Sequence, residues 1–251
     1  MKTKLKKILG VSFLLLILVG FIGFVEKKHA ERKFSEVEIS IKSVADVYFV
    51  DEADLLEQLY VEFPLMKSGV SFLELNLNQI ERKVEKHPFV KNAEVYSDQK
   101  GNIKIEVEQH VPMARIVRPR AADGYISTEG LILPTSPQYT TRVLLLYGEY
   151  AEQLLQEKEL NTDHKELLEL IQFIHRDEFW RAQITELEME KKSDIRLHQQ
   201  VGRQVIELGD AADLEEKFKK INLFYDEILP VKGWNTYSRV NVKYKGQIVC
   251  E

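Results

Sequence analysis

Alternation of apolar and polar side chains begins at Val37, Ile39 and Ile41, with Glu38, Ser40 and Lys42 between them, the period-two pattern of a strand with one buried face. Asp51 then stands as an N-cap before a run whose apolar positions Leu55, Leu56, Leu59 and Phe63 recur at helical spacing, closed by Pro64. Gly69 supplies a turn, Phe72, Leu73 and Leu75 point inward, and Asn76 or Asn78 caps a second helix that carries Ile80 and Val84 and stops at His87-Pro88. Two strands follow, with Val90, Ala93 and Val95 in one and Ile103, Ile105 and Val107 in the other, joined by the turn-forming Asp98-Gln99-Lys100-Gly101-Asn102. The order β-α-α-β-β buries three amphipathic strands under two helices on one face.

Beyond this module the pattern predicts strands over residues 114–118, 125–127, 142–147, 184–189, 195–199 and 204–208. A helix from about Asp163 carries Leu167, Leu170, Ile171 and Ile174 on one face, with Asp163 and Glu166 spaced as a capping-box variant. A second, over residues 211–229, places Leu214, Phe218, Ile221, Tyr225 and Ile228 on one stripe, stacks Glu215 over Lys219 and Glu216 over Lys220, and is expected to stop at Pro230. Residues 237–244 and 247–249 return to strand rhythm, Val240, Val242 and Tyr244 on one face and Asn241 and Lys243 on the other.

Upstream of all this, residues 8–25 read ILGVSFLLLILVGFIGFV, without a charge or a proline. At about 1.5 Å per residue such a run reaches across the hydrocarbon of a bilayer and predicts a transmembrane helix. Its exit, Glu26-Lys27-Lys28-His29, offers no small-x-small cleavage site, so the expectation is an uncleaved anchor rather than a signal peptide. The basic tail of residues 1–7 favours a cytoplasmic amino end, with one pass and the body outside the cytoplasm.

Charge sharpens this division. The 251 residues carry 35 Lys/Arg and 40 Asp/Glu, a net −5. Residues 1–33 hold eight of the basic and two of the acidic residues, +6, which leaves the body at −11. An acidic body repels phosphate backbones, so nucleic acid is not expected as a partner. A single cysteine, Cys250, excludes an intrachain disulfide and is poorly placed to be a walled nucleophile.

The chemistry-bearing residue types form no catalytic pattern. The six histidines, His29, His87, His110, His164, His175 and His198, match no zinc spacing, and no G-x-S-x-G elbow or phosphate-cradling glycine loop occurs. Glu186, Glu188 and Glu190 share one face of a strand and read as a solvated acidic surface. No catalytic site, metal, cofactor or small-molecule substrate is expected. A strand at 237–249 either closes a sheet or accepts an extended segment of another protein along an open edge, and the pattern is the same in both cases.

Particular residues carry a resemblance. The anchor, then GVSFLELNLNQIERKVEKHPFVKNAEVYSDQKGNIKIEVEQHVPMARI, then GYISTEGLILP and the closing VNVKYKGQIV resemble the FtsQ/DivIB family of bacterial cell-division proteins over the whole chain. Departures are Ser127, where the family's hairpin usually has Asp, and Ala45-Asp46, where many members have Gly. The resemblance implies an α+β chain: a cytoplasmic tail (1–7), a transmembrane helix (8–25), a small β-α-α-β-β POTRA domain (34–110), and a mixed, mainly antiparallel β domain with flanking helices (111–251). It further implies a non-enzymatic divisome scaffold of the cell inner membrane, single-pass type II, with its body in the periplasm and concentrated at the division septum. Its last strand would recruit FtsB- and FtsL-type partners for septum formation, and its POTRA domain other divisome components. Carried over by position, the contact residues are Tyr237, Val240, Val242, Tyr244, Lys245, Gly246, Gln247 and Val249. The alternative is a POTRA-containing protein-export or outer-membrane assembly factor, which would need a barrel of short alternating strands that the helices within 163–229 interrupt.

Overall fold

The computed structural model describes residues 13–24, 36–42, 48–67, 74–98 and 101–251. The expected cytoplasmic tail, both ends of the expected anchor with the flank after it, the Gly69 turn with Phe72 and Leu73, the Ala45-Asp46 departure and Gln99-Lys100 lie outside the described residues. Within the expected anchor, residues 13–24 form a helix, α1, whose side chains are exposed. Among the described residues no helix is long and apolar enough to cross a membrane. The body forms two compact units, one containing residues 50–109 and the 36–42 strand, the other residues 110–251 together with the segment up to Phe49.

The first unit has the order β1 (Val37–Lys42), α2 (Glu52–Glu62), α3 (Leu77–Val84), β2 (Val90–Ser97) and β3 (Ile103–Gln109). Its sheet runs β1-β3-β2, with β3 central, parallel to β1 and antiparallel to β2. That central place is why Ile103, Ile105 and Val107 are all fully buried, whereas β1, with one flank unpaired, alternates half-buried with exposed. Asp51 caps α2 by accepting from the backbone N–H of Ala53 and Asp54 at 2.9 and 3.0 Å. Of the two candidate asparagines, Asn76 caps α3, accepting from Gln79 N at 3.2 Å. Leu55, Leu59, Ile80 and Val84 turn inward as the spacing predicts.

The second unit is built on one nine-stranded sheet in the order β12-β11-β10-β9-β8-β7-β4-β5-β6. The strands are β4 (Pro112–Ile116), β5 (Gly124–Ser127), β6 (Ile132–Pro134), β7 (Leu144–Tyr147), β8 (Ile184–Lys191), β9 (Asp194–Gln199), β10 (Val205–Gly209), β11 (Arg239–Asn241) and β12 (Val249–Cys250). The pairs β4–β7, β7–β8 and β10–β11 are parallel and the others antiparallel. Helices α4 (Glu149–Gln153), α5 (Lys165–Arg176), α6 (Glu178–Gln183), α7 (Leu214–Leu223) and α8 (Leu229–Lys232) connect them. One apolar cluster joins the inner faces of the strands to Leu170, Ile171 and Ile174 of α5, Trp180 of α6 and Phe218 and Ile221 of α7. Trp180 and Phe173 hold Phe218 between them, ring centroids 4.8 and 4.6 Å away, geometry that adds to the area each ring buries. Phe49 packs edge-on to Tyr125 and Tyr139 at 5.3 and 4.9 Å.

Several local expectations change. The capping box at Asp163 does not form: Asn161 caps a short tight turn, Thr162–His164, and α5 starts at Lys165. The helix expected over 211–229 begins at Leu214, after Asp213, the one non-glycine residue with positive φ (52°) among those described. It also runs through Pro230 to Lys232. A wide turn over Phe224–Ile228, in which Leu229 N–H reaches back five residues to Phe224 O, sets Pro230 into the first turn of α8, where its missing N–H costs little. The Ser127 departure leaves the hairpin intact, because its hydroxyl accepts from the N–H groups of Glu129 and Leu131 at 3.2 and 3.1 Å.

Candidate functional site

The closing segment is not one strand. β11 is three residues, Gly246 turns the chain at φ 69°, and β12 is two residues. β11 has β10 on one side and β12 on the other, so it is no edge, and the continuous strand expected over 237–249 is instead two short strands joined by a loop. Val240 and Val242 are fully buried and cannot offer their side chains to a partner. Tyr237 is half-buried, its ring 6.3 Å from Phe224. Tyr244, Lys245, Gly246 and Gln247 lie exposed on the loop between the two strands, and Val249 is exposed on β12. These residues therefore divide into an inner set that holds the edge and an outer set that borders it.

The outer side of β12 has a definite chemistry. Arg239 and Glu251 exchange both backbone hydrogen bonds, each at 3.0 Å, so the next opposed pair, Val240 and Cys250, is of the non-bonded kind. Cys250 accordingly directs its N–H and C=O away from β11, and among the described residues no strand pairs with that side. Its thiol turns toward the core, and burial raises its pKa, the reverse of an activated nucleophile.

What fixes the edge lies on α7. The side chain of Lys220 is almost wholly buried, and its Nζ donates to the carbonyls of Val242 and Tyr244 at 2.7 and 2.8 Å. Glu216, 3.6 Å from that ammonium, accepts from Gly246 N–H at 3.2 Å, and this bond foremost holds its carboxyl below the usual range. The pair expected to stack along the helix thus straps the 242–246 loop. Across the sheet Glu207 accepts from Asn241 at 2.8 Å and pairs with Lys243 at 3.1 Å.

Elsewhere polar groups satisfy one another. On the open face of β7, β8 and β9, His198 Nε2 lies 2.9 Å from the Tyr147 hydroxyl and 3.0 Å from Glu188 Oε2, while Arg196 holds the other Glu188 oxygen at 2.7 Å. Burial, then the charge of Glu188, pushes the Tyr147 hydroxyl up to about 12. The acidic face expected at Glu186, Glu188 and Glu190 is thus partly an ion-paired network. Among the described residues no group of three or more His, Cys, Asp or Glu is arranged to hold a metal ion.

A small three-stranded module with two helices, followed in the chain by a wide mixed sheet whose β12 side is unpaired among the described residues, defines an α+β protein of two units. A family model for FtsQ/DivIB, C-terminal related, matches residues 111–251, and one for a POTRA-like domain matches residues 32–108. No curated protein matches the chain. With more than half of its length matched, the chain belongs to the FtsQ/DivIB family, whose members are non-enzymatic components of the bacterial cell-division machinery.

Proposed function

We propose that this protein is a single-pass membrane scaffold of the divisome that recruits FtsB- and FtsL-type partners, for septum formation, by letting a partner strand pair with the outer side of β12. The observation that carries this reading is the outward N–H and C=O of Cys250 beside the exposed Val249. Backbone groups of this kind give a partner strand its affinity, and neighbouring side chains give it register. Tyr244, with Lys245, Gly246 and Gln247, borders the path such a strand takes, while Tyr237, Val240 and Val242 act from inside by holding β11. The apolar run at residues 8–25 supports insertion in the cell inner membrane as a type II protein, with the body in the periplasm and concentrated at the septum. Contacts with other divisome components are assigned to the POTRA-like unit, where β1 and β2 are the two sheet edges.

The test is Cys250→Pro. Proline removes one N–H, and at this position that N–H faces the partner rather than β11, so the β11–β12 pairing keeps its own bonds. Binding of an FtsB-type partner is expected to weaken by at least roughly tenfold, the order set by one lost backbone bond and the steric block of the ring. Unchanged binding by a folded Cys250→Pro chain would defeat the proposal. Lys243→Pro addresses the loop instead, since Lys243 N–H is given to Asn241 Oδ1 at 3.0 Å.

A further inference from the structure

A second surface of the sheet unit has the makings of a binding cleft. Where β4, β7 and β8 begin, a cleft of about 610 Å³ opens against the end of α5 and the start of β8. Its floor is apolar, made by the buried side chains Met113, Leu144, Ile174 and Ile184. Its rim is cationic and hydroxylic, with Arg115 of β4, Arg142 of the loop before β7 and Arg181 of α6 beside Thr141 and Thr185. Arg115 is occupied by Asp123 at 2.7 Å. Arg142 and Arg181 are exposed, and among the described residues neither guanidinium makes a hydrogen bond or ion pair. Glu186 is the one acidic side chain among those lining the cleft. His175, also on the lining, has its pKa lowered first by burial and then by Arg181 and Arg176, which reflects the positive field there.

In a body where acidic residues outnumber basic ones by 38 to 27, what distinguishes this cleft is that two unpaired arginines converge over one apolar floor. Elsewhere in this unit Arg196 and Arg239 lie against carboxylates. We propose that this cleft docks an acidic segment of a partner protein, one that sets carboxylates against Arg142 and Arg181 and an apolar side chain on the floor between them. The volume suits a side chain or two rather than a folded domain. Separated cations suit carboxylates spaced along a peptide, each guanidinium offering its planar fork. An anionic bilayer or a second copy of this chain would each bring extended negative charge against a body of −11, whereas a short segment meets only the local rim.

The experiment uses the full chain in a non-ionic detergent and a short fluorescent peptide of alternating Glu and Leu. Saturable binding is expected, falling with added salt and absent for the same peptide with Gln in place of Glu. Arg142→Glu combined with Arg181→Glu is expected to weaken it by roughly tenfold or more, through two attractions turned to repulsions. Both side chains are exposed, so the double variant should melt with the parent. Glu186→Gln should tighten binding several-fold. Binding that ignores the arginines, or that the Gln peptide reproduces, overturns the proposal. So does arginine-dependent capture of phosphatidylglycerol vesicles, or arginine-dependent self-association, without peptide binding. The readout does not involve β12, so its failure leaves the reading of that edge untouched, and the converse also holds.

Discussion

Replacing Lys220 by Met should loosen the lip of the sheet without unfolding the unit. Methionine keeps the length and apolar stem of the side chain but removes every donor. Two charge-assisted bonds are lost, to Val242 O at 2.7 Å and Tyr244 O at 2.8 Å. The losses are unequal, because Val242 is fully buried whereas Tyr244 is exposed and water can take its carbonyl. An orphaned buried carbonyl costs about 1–3 kcal/mol and the second bond adds about 1 kcal/mol. Relief of the buried ammonium's desolvation offsets part of this, so a net of roughly 2–3 kcal/mol is expected. Glu216 loses its cation at a half-exposed site, which adds little. Hydrogen exchange by mass spectrometry reads the effect where it falls: amides over 242–250 should exchange on the order of thirtyfold to a hundredfold faster, while those of β8 and β9 stay protected. Lys219→Met, one residue away and exposed, is the control and should change nothing. Equal protection of residues 242–250 in the Lys220→Met chain and its parent would refute the strap.

Gly148→Ala is expected to destabilise the sheet unit by about 2 kcal/mol or more in urea titration, since alanine resists a φ of 109° and its Cβ would meet Met189 O at 2.4 Å. Burial pushes the Tyr225 hydroxyl up to about 12 from its ordinary 10.0, so its contribution is fully present below pH 10 and is lost as pH rises through about 12. Tyr225→Phe should therefore flatten the alkaline limb of stability measured by denaturant midpoint, while costing about 1 kcal/mol at neutral pH through its bonds to Gln199 and Gln183. The hydrogen bond from the buried Lys217 holds the Asp210 carboxyl below its ordinary 3.8. Its contribution is present above that value and is lost as pH falls through the lowered folded one. Asp210→Asn should abolish that part of the acid limb of thermal melting while leaving the Lys217 bond to Asp210 O.

Much of this fold was legible along the chain. The Val37, Val90 and Ile103 alternations, the Asp51 cap, and the helical stripes at Leu167 and Phe218 all depend on local periodicity and capping, which the sequence states directly. The proline at 230 misled because a single sequence does not show that the turn before it widens to absorb the missing N–H. The places of Lys217 and Lys220 were not legible, since a lysine on a helix carries no local sign of a partner distant in the chain. Both ammonium groups reach backbone carbonyls far off in space, those of Asp210 and of Val242 and Tyr244, which only the packed structure brings near.

The sequence by itself determined the β-α-α-β-β order of the first unit, the α+β class, the family and the charge split between a +6 leading segment and a −11 body. Those follow from residue type and near-neighbour spacing. Only the tertiary structure decided which strand is the edge, because edge status depends on neighbours drawn from elsewhere in the chain. β10 and β12 enclose β11, bury Val240, and leave the backbone N–H and C=O of Cys250 to face outward. It also gathered Arg115, Arg142 and Arg181 around one cleft, for the same reason.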